Sequence, residues 1–444
     1  MSFDAPVGAY VQKIYANQAY THECYNVRKW PGFEMVIDAV RRSGVMVEHC
    51  GENTVNKYQV ILVSLINGRD WFTFISERVN WPKGNYKVVV GGSGVLNVTP
   101  FLEYADYFVL GRGEIIGPQL VKALLAGEGF QHESVIKATD FSPDKKYVIA
   151  QATAPYPHEF NTANGTRFQE GESGCKYKCF FCSYTWQRRY IGAGGDFTSN
   201  CPVENTMLDL LKAGDEKWHN LRIVGLDGLS ERLRFNINKR ISKEAFIEFL
   251  VRLTYLPEKA SRIKIFMIVG YPTEGDQDYN EYLECFTTAD KKANPKRLDR
   301  WGLVTHCTPF RAMPPTPCRL WPMAYKNFRG QLKNRIRANL RGDEYVGATF
   351  FQGHHLWSIE SSGTDSLAAA IEEMLTVRGD FGDAVNIRRL ALTKKYWHAP
   401  YIGRLRTLEA SFDTHKLMAA YTPEAIPTRY LKTYCEVKPI PVPK

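Results

Sequence analysis

Three cysteines stand close together in Gly174-Cys175-Lys-Tyr-Lys-Cys179-Phe-Phe-Cys182, separated by three residues and then by two. Thiolates so spaced can wrap one face of a small metal centre. A structural zinc site takes four protein ligands, its cysteines usually arriving as two separated pairs. An ordinary iron–sulfur cluster is likewise held by four thiolates. No fourth cysteine follows at ligand spacing, so three thiolates on this loop would leave one iron of a [4Fe–4S] cluster open to another ligand. The competing reading is three unrelated core residues, since free cysteine is often a small buried hydrophobe. The flanking Gly174, Lys176 and Lys178 suit an exposed loop better than a core.

This pattern resembles the signature of the radical S-adenosylmethionine superfamily. The resemblance implies that Cys175, Cys179 and Cys182 ligate the cluster and that S-adenosylmethionine chelates the open iron. One electron then cleaves the sulfonium to a 5′-deoxyadenosyl radical, which abstracts hydrogen. The hard chemistry belongs to the cofactor; the protein binds, orients and shields. Tyr177, Phe180 and Phe181 interleave the cysteines and would shield a cluster from water, with Phe181 placed among the cofactor-facing residues. Tyr184 and Trp186 are candidates for the lining of a substrate pocket.

Elements that could position such a loop are legible on both sides of it. The first 130 residues alternate strand and helix. Strands are expected at Val11–Tyr15, Val45–His49, Val60–Leu65, Tyr86–Gly92 and from Tyr107. Helices are expected at Phe33–Arg42, Trp71–Val79 and Pro118–Leu125, the first stopped by Gly44. Apolar runs separated by amphipathic helices indicate a doubly wound parallel sheet. Such sheets bind ligands beyond the carboxyl ends of their strands, where Gly91, Gly92, Gly111 and Gly113 fall. The plainer reading of these glycines is tight strand-to-helix turns. A spaced Gly-x-Gly-x-x-Gly dinucleotide fingerprint is missing.

Val88-Val-Val-Gly-Gly92 and Ala105-Asp-Tyr-Phe-Val-Leu-Gly-Arg-Gly-Glu114 resemble the cobalamin-binding domain that precedes the catalytic barrel in one branch of the superfamily. The branch's Asp-x-His-x-x-Gly motif, source of a histidine ligand to cobalt, is absent. Some members bind cobalamin without it, and others keep the fold without the cofactor. Cobalamin is therefore a candidate cofactor held at Gly91, Gly92, Gly111 and Gly113.

Residues 131–170 read as a turn-rich linker, and Thr166–Gly174 as the first strand of a barrel. Barrel active sites are built from loops at the carboxyl ends of strands. Leu221–Arg234 reads as a strand and polar turn, and Ser242 as the N-cap of a helix over Lys243–Leu253. The first of these resembles a superfamily segment whose polar groups reach S-adenosylmethionine, which assigns Ser230 and Arg234, with Asp227 and Glu231 behind them. The plain alternative is a solvated helix start with local charge pairs. Ile263–Glu274 resembles the strand ending in Gly-x-Pro-x-Glu that packs against adenine, assigning Gly270 and Glu274. Thr308–Pro317 resembles the proline-rich segment late in the barrel. The stretch from Cys182 to Asp227 is short for two strand–helix repeats, so a partial barrel of about six strands is expected.

The fold class expected is therefore α/β: a cobalamin-binding-like Rossmann domain over residues 1–135, a partial (β/α)6 radical S-adenosylmethionine barrel over 136–323, and a mainly helical extension over 324–444. The resemblance covers roughly residues 10–320. Within the extension, Lys326, Arg329, Lys333, Arg337 and Arg341 fall at helical spacing beside Phe328, Leu332, Ile336 and Leu340, an amphipathic helix with a basic face. His354, His355 and Trp357, and the run from Lys394 to His398, mix aromatic and basic side chains.

The whole chain has 444 residues, 44% of them hydrophobic and 23% charged, with net charge +10. This is the composition of a globular enzyme, not of a disordered tail. The positive balance admits an anionic substrate such as a nucleotide or nucleic acid. The start of the chain reads as no signal peptide, and no apolar run reaches the roughly eighteen residues of a membrane span. Ten cysteines in that context read as reduced thiols or ligands. A cytoplasmic enzyme is expected, with no membrane partner and with a reductant such as flavodoxin or ferredoxin. The 5′-deoxyadenosyl radical that the resemblance implies is expected to serve cobalamin-dependent methylation of an unactivated centre, which makes the enzyme a transferase. The alternative is a cobalamin-independent rearrangement, cyclisation or nucleotide modification with a vestigial first domain. A reading of another class is an iron–sulfur protein that binds nucleic acid without radical chemistry.

Overall fold

The computed structural model describes residues 5–10, 31–66, 68, 70–161, 165, 167–170, 173–175, 177–191, 200–202, 223–253, 263–292, 303–322, 348–351, 354–361, 375–376, 379–380, 382–392, 431–432 and 441. The basic helix expected over 326–341 and the run from Lys394 to His398 lie outside them. The chain divides into two compact units. One comprises 1–176, 183–193 and 371–438; the other comprises 177–182, 194–370 and 439–444.

The first unit is built on strands β1 (Val7–Tyr10), β2 (Val47–Cys50), β3 (Val60–Ser64), β4 (Lys87–Gly91), β5 (Tyr107–Val109) and β6 (Val135–Lys137), in the order 2-1-3-4-5-6. Neighbours from β2 to β5 run parallel, and β6 is antiparallel to β5. Crossover helices α1 (Pro31–Arg42), α2 (Asp70–Arg78) and α3 (Gly113–Leu125) join them. Val60, Ile61, Leu62 and Val63 are all buried, as the central strand of a parallel sheet covered on both faces requires. On one face Ile37 and Val40 of α1 and Ile116 and Leu120 of α3 close over Val7, Leu62 and Val89. On the other, Trp71 of α2 stacks on Phe101 at 4.0 Å between ring centres. The chain order reverses between β1 and β3, the switch point at which such sheets open a crevice.

Two expectations shift here. The first strand is Val7–Tyr10, while 11–15 lie outside the described residues. Val7-Gly-Ala-Tyr is a weak strand sequence, but a Cβ on Gly8 would sit 2.8 Å from both Cys50 Sγ and the Tyr58 ring, so close packing selects it. Helix α3 begins at Gly113, with Pro118 inside it. Gly113 lies against Val36 of α1, which pulls the helix start back towards the strand.

Short strands β7 (Tyr147–Val148), β8 (Phe160–Asn161) and β9 (Arg167–Phe168), and helix α4 (Ser183–Gln187), follow in the same unit. The barrel strand expected at Thr166–Gly174 is not formed. Arg167–Phe168 instead pairs antiparallel with Phe160–Asn161, and Ser173 forms an isolated antiparallel bridge with Ile191.

The second unit carries β10 (Asn200–Pro202), β11 (Ile223–Gly225), α5 (Glu231–Asn236), α6 (Lys243–Leu253), β12 (Ile263–Val269), α7 (Asp276–Lys292), β13 (Leu303–Pro309), β14 (Ala348–Phe351) and β15 (His354–Ser361). Its six strands lie in the order 10-11-12-13-15-14, parallel except for β14 against β15. Ile265, Met267 and Val269 alternate along β12 with no exposure. Phe246 of α6 stacks on Tyr282 of α7, whose hydroxyl meets Thr305 Oγ1 at 2.7 Å. Ser242 caps α6 as expected, its Oγ accepting from Ala245 N at 3.0 Å. The segment holding His354, His355 and Trp357, expected in a mainly helical extension, is a strand of this sheet. Further along, α8 (Asp383–Leu392) packs on α2 and β16 (Leu431–Lys432) pairs with β7, both within the first unit.

Candidate functional site

The cysteine loop belongs to both units: Ser173–Cys175 to the first, Tyr177–Cys182 to the second. Cys179 is buried, whereas Cys175 and Cys182 are partly exposed. In the second unit the loop is pinned by main-chain bonds. Phe180 N donates to Ile237 O at 2.8 Å, Cys318 N donates to Phe180 O at 3.1 Å, and Cys182 N turns back on Cys179 O at 3.3 Å. Asn238 Nδ2 donates to Lys178 O at 2.9 Å. These partners follow β11 and β13, so Cys179 and Cys182 sit beyond carboxyl ends of a parallel sheet, where ligands are bound in such folds. Phe181 is half-buried beside them.

Lys239 lies within electrostatic reach of these two thiols. Its Nζ is 2.7 Å from Asp227 Oδ2, with both side chains at most 15% exposed. Burial alone would lower the proton affinity of the Lys239 ammonium. The Asp227 carboxylate and the thiols of Cys179 and Cys182 outweigh it and raise the group above its ordinary value. Asp227 and Asn238, on either side of α5, both adopt left-handed backbone conformations (φ 59° and 58°), sparsely populated by residues other than glycine and clustered at functional sites. Tyr271, 3% exposed, donates from its hydroxyl to Asp227 O at 2.8 Å.

Gly270 also has positive φ, 83°, which its lack of a side chain permits. Its N–H donates to Glu274 Oε2 at 2.9 Å, and Tyr279 donates to Oε1 at 2.8 Å. Burial pushes the Glu274 carboxyl up to about 7, against the downward pull of those bonds. Because its folded value lies above the ordinary 4.5, its stabilising contribution is complete below that lower pH and disappears as pH rises through about 7. Unfolding of this unit by urea at a series of pH values should show a loss of about 2–3 kcal/mol across that window, and Glu274→Gln should flatten it. A profile unchanged by the substitution would contradict this environment.

Ser230 and most of Arg234 bond within the chain, while Arg234 Nη2 has no hydrogen-bond partner among the described residues. Ser230 caps α5, accepting from Leu233 N at 3.2 Å and donating to the buried Asp278 carboxylate. Arg234 is fully buried, donating from Nε to Ile241 O at 2.7 Å and from Nη1 to Gly228 O at 3.1 Å. Glu231 accepts from Lys243 N at 2.6 Å at the start of α6. Asn238-Lys239 ends the same resembling segment, but their roles beside Asp227, and that of Tyr271, needed the structure.

In the first unit the glycines have reasons of their own. A Cβ on Gly92 would lie 2.3 Å from Leu65 O, and one on Gly111 would lie 2.4 Å from Ala150 O; both residues have positive φ. Gly113 packs on Val36, and Gly91 makes ordinary contact with Val109. Tyr184 accepts from Gly174 N at 3.2 Å, and Trp186 is buried. Elsewhere burial pushes Cys50 and Cys285 up to about 12, which makes them inert structural thiols.

Among the described residues no three His, Cys, Asp or Glu side chains are grouped so as to hold a single metal ion. An iron–sulfur cluster makes a different demand, because each thiolate meets its own iron. The donor chemistry, soft thiols on one loop, is of the kind such a cluster takes, and within the second unit Lys239 is in electrostatic reach of Cys179 and Cys182. No helix among the described residues is long and apolar enough to cross a membrane.

No protein-family model matches the chain, and no curated protein matches it either. Among solved structures there is a likeness to OxsB, a cobalamin-dependent S-adenosylmethionine radical enzyme, in its apo, selenomethionine-labelled form. The identity is 10% and the TM-score 0.23, over 98% of this chain and 59% of that one. This chain thus spans about six-tenths of that structure's length, and a superposition so loose carries no inference about function.

Proposed function

We propose that the chain is a radical S-adenosylmethionine enzyme in which Cys175, Cys179 and Cys182 hold a [4Fe–4S] cluster. The observation that carries this reading is the three-cysteine spacing, with Cys179 and Cys182 packed at strand carboxyl ends beside the Lys239–Asp227 pair. The cluster, when bound, supplies one electron to S-adenosylmethionine and thereby a 5′-deoxyadenosyl radical for hydrogen abstraction. The chain's own residues do the rest. Asn238 and Ile237 fix the loop backbone, Lys239 offsets thiolate charge, and Asp227 keeps Lys239 in place. Phe180, Phe181 and Tyr271 keep water from the buried Cys179. The turn at Gly270, which has no side chain, would be the place for adenine.

The second part of the proposal is methyl transfer through cobalamin held at the carboxyl edge of the first sheet. Its 2-1-3-4-5 order supports a ligand there. A cobalamin-free reaction is the second reading, favoured by the packing roles of Gly92, Gly111 and Gly113. An anionic substrate is drawn by the net charge of +10, and a flavodoxin or ferredoxin is the electron donor in a cytoplasmic setting.

Anaerobic reconstitution with iron, sulfide and hydroxocobalamin, then desalting and metal analysis, tests both parts. About four iron atoms per chain with stoichiometric cobalt is the expected result. Iron without cobalt would overturn the methyltransferase part alone, and no iron would overturn the whole.

A further inference from the structure

Ser173–Cys175 is held from several directions inside the first unit. Ser173 exchanges both backbone hydrogen bonds with Ile191, each at 2.9 Å. Gly174 has φ 77°, and a Cβ there would meet Arg189 O at 2.4 Å. Thr185 Oγ1 donates to Cys175 O at 3.2 Å. The remaining restraint comes from far away in sequence. Arg112, 3% exposed at the start of α3, grips Glu170 with both arms, Nη1 to Oε1 at 2.9 Å and Nη2 to Oε2 at 2.6 Å. Its Nη1 also donates to Ser173 Oγ and its Nε to Glu114. Glu170 Oε2 accepts in turn from Tyr156 N at 2.7 Å.

We propose that Arg112 is the positioning residue for Cys175, tying the segment that carries this thiol to the β5–α3 turn through Glu170 and Ser173. The proposal rests on the reading of Cys175 as a cluster ligand. Only a guanidinium can do this, because its planar fork meets a carboxylate bidentately while a third N–H stays free for Ser173. Lysine offers a point charge and cannot bridge all three partners. The arrangement has the form of an outer shell that fixes a metal ligand's direction, and loss of such partners typically weakens metal binding about 10–100-fold.

The test uses the full chain without metal, kept reduced, and follows alkylation of Cys175 by iodoacetamide through peptide mass spectrometry. Cys182, also partly exposed, is the internal reference. Arg112→Met should speed alkylation of Cys175 about tenfold and leave Cys182 unchanged, with iron retention after reconstitution falling about 10–100-fold. Arg112→Lys should recover part of both. Ser173→Ala removes one hydroxyl only, so it carries the test if Arg112→Met fails to fold, and it should move Cys175 in the same direction by less. Unchanged Cys175 reactivity in the folded variants, or equal acceleration at Cys182, would overturn the proposal. If the unaltered chain takes up no iron, the cluster reading fails while the alkylation result still decides the clamp.

Discussion

Replacing Cys175, Cys179 and Cys182 together by alanine should abolish iron binding while leaving the fold in place. The unaltered chain should retain about four iron atoms after anaerobic reconstitution, and the triple variant background only. Cys175 and Cys182 are partly exposed, so their truncation removes little core; Cys179 is the one buried member, and its loss should cost at most about 1–3 kcal/mol. Circular dichroism on the variant separates the two effects: retained secondary structure with no iron assigns the thiols to the metal. The three single variants should each lose most of the iron, because a cluster left with two protein thiolates is easily shed. Iron unchanged in the triple variant would leave the cysteines without a role.

The second large effect belongs to Arg234. Its guanidinium has no exposure and satisfies the carbonyls of Gly228, Leu229 and Ile241, with Glu281 Oε1 3.7 Å from Nη2. Burial lowers its proton affinity, and the neighbouring negative groups oppose this. Arg234→Met leaves those acceptors unpaired in the interior and Glu281 without its cation. Stranding the partners of a buried charge typically costs about 3–5 kcal/mol, which for a unit of this size lowers its melting temperature by about 10 °C. The change should appear without any ligand present. An unaltered melting temperature combined with weaker S-adenosylmethionine binding would instead mean that the guanidinium faces the ligand, as the sequence resemblance implies.

Arg234 also illustrates what a single sequence can and cannot reveal. That Leu221–Lys239 forms a strand and a polar turn rich in chemistry is visible from its pattern, and Ser242 is visible as a cap. Which way each polar group points is not. Asn238 takes a left-handed conformation just after α5, and the next residue, Lys239, pairs with Asp227. The Asn238 side chain donates to Lys178 O, sixty residues away. The strands β3, β4 and β5 are legible because central parallel strands are apolar on both faces. β1 is not, since Val7-Gly-Ala-Tyr owes its place to the contact of Gly8 with Cys50 and Tyr58. Thr166–Gly174 misleads for a related reason: its local pattern allows a strand, but the partner it finds is Phe160–Asn161 in a short hairpin. Arg112 announces itself only as a charge between two glycines, and its partners Glu170 and Ser173 lie 58 and 61 residues on. Long-range pairing of this kind leaves no periodic trace.

The central claim is that this chain turns a single electron into cleavage of S-adenosylmethionine. The most direct measurement is 5′-deoxyadenosine formed by the anaerobically reconstituted protein given S-adenosylmethionine and dithionite, quantified by liquid chromatography and mass spectrometry. The unaltered chain should give at least about one equivalent per cluster and the triple cysteine variant none. A fully iron-loaded protein that forms no 5′-deoxyadenosine would contradict the claim.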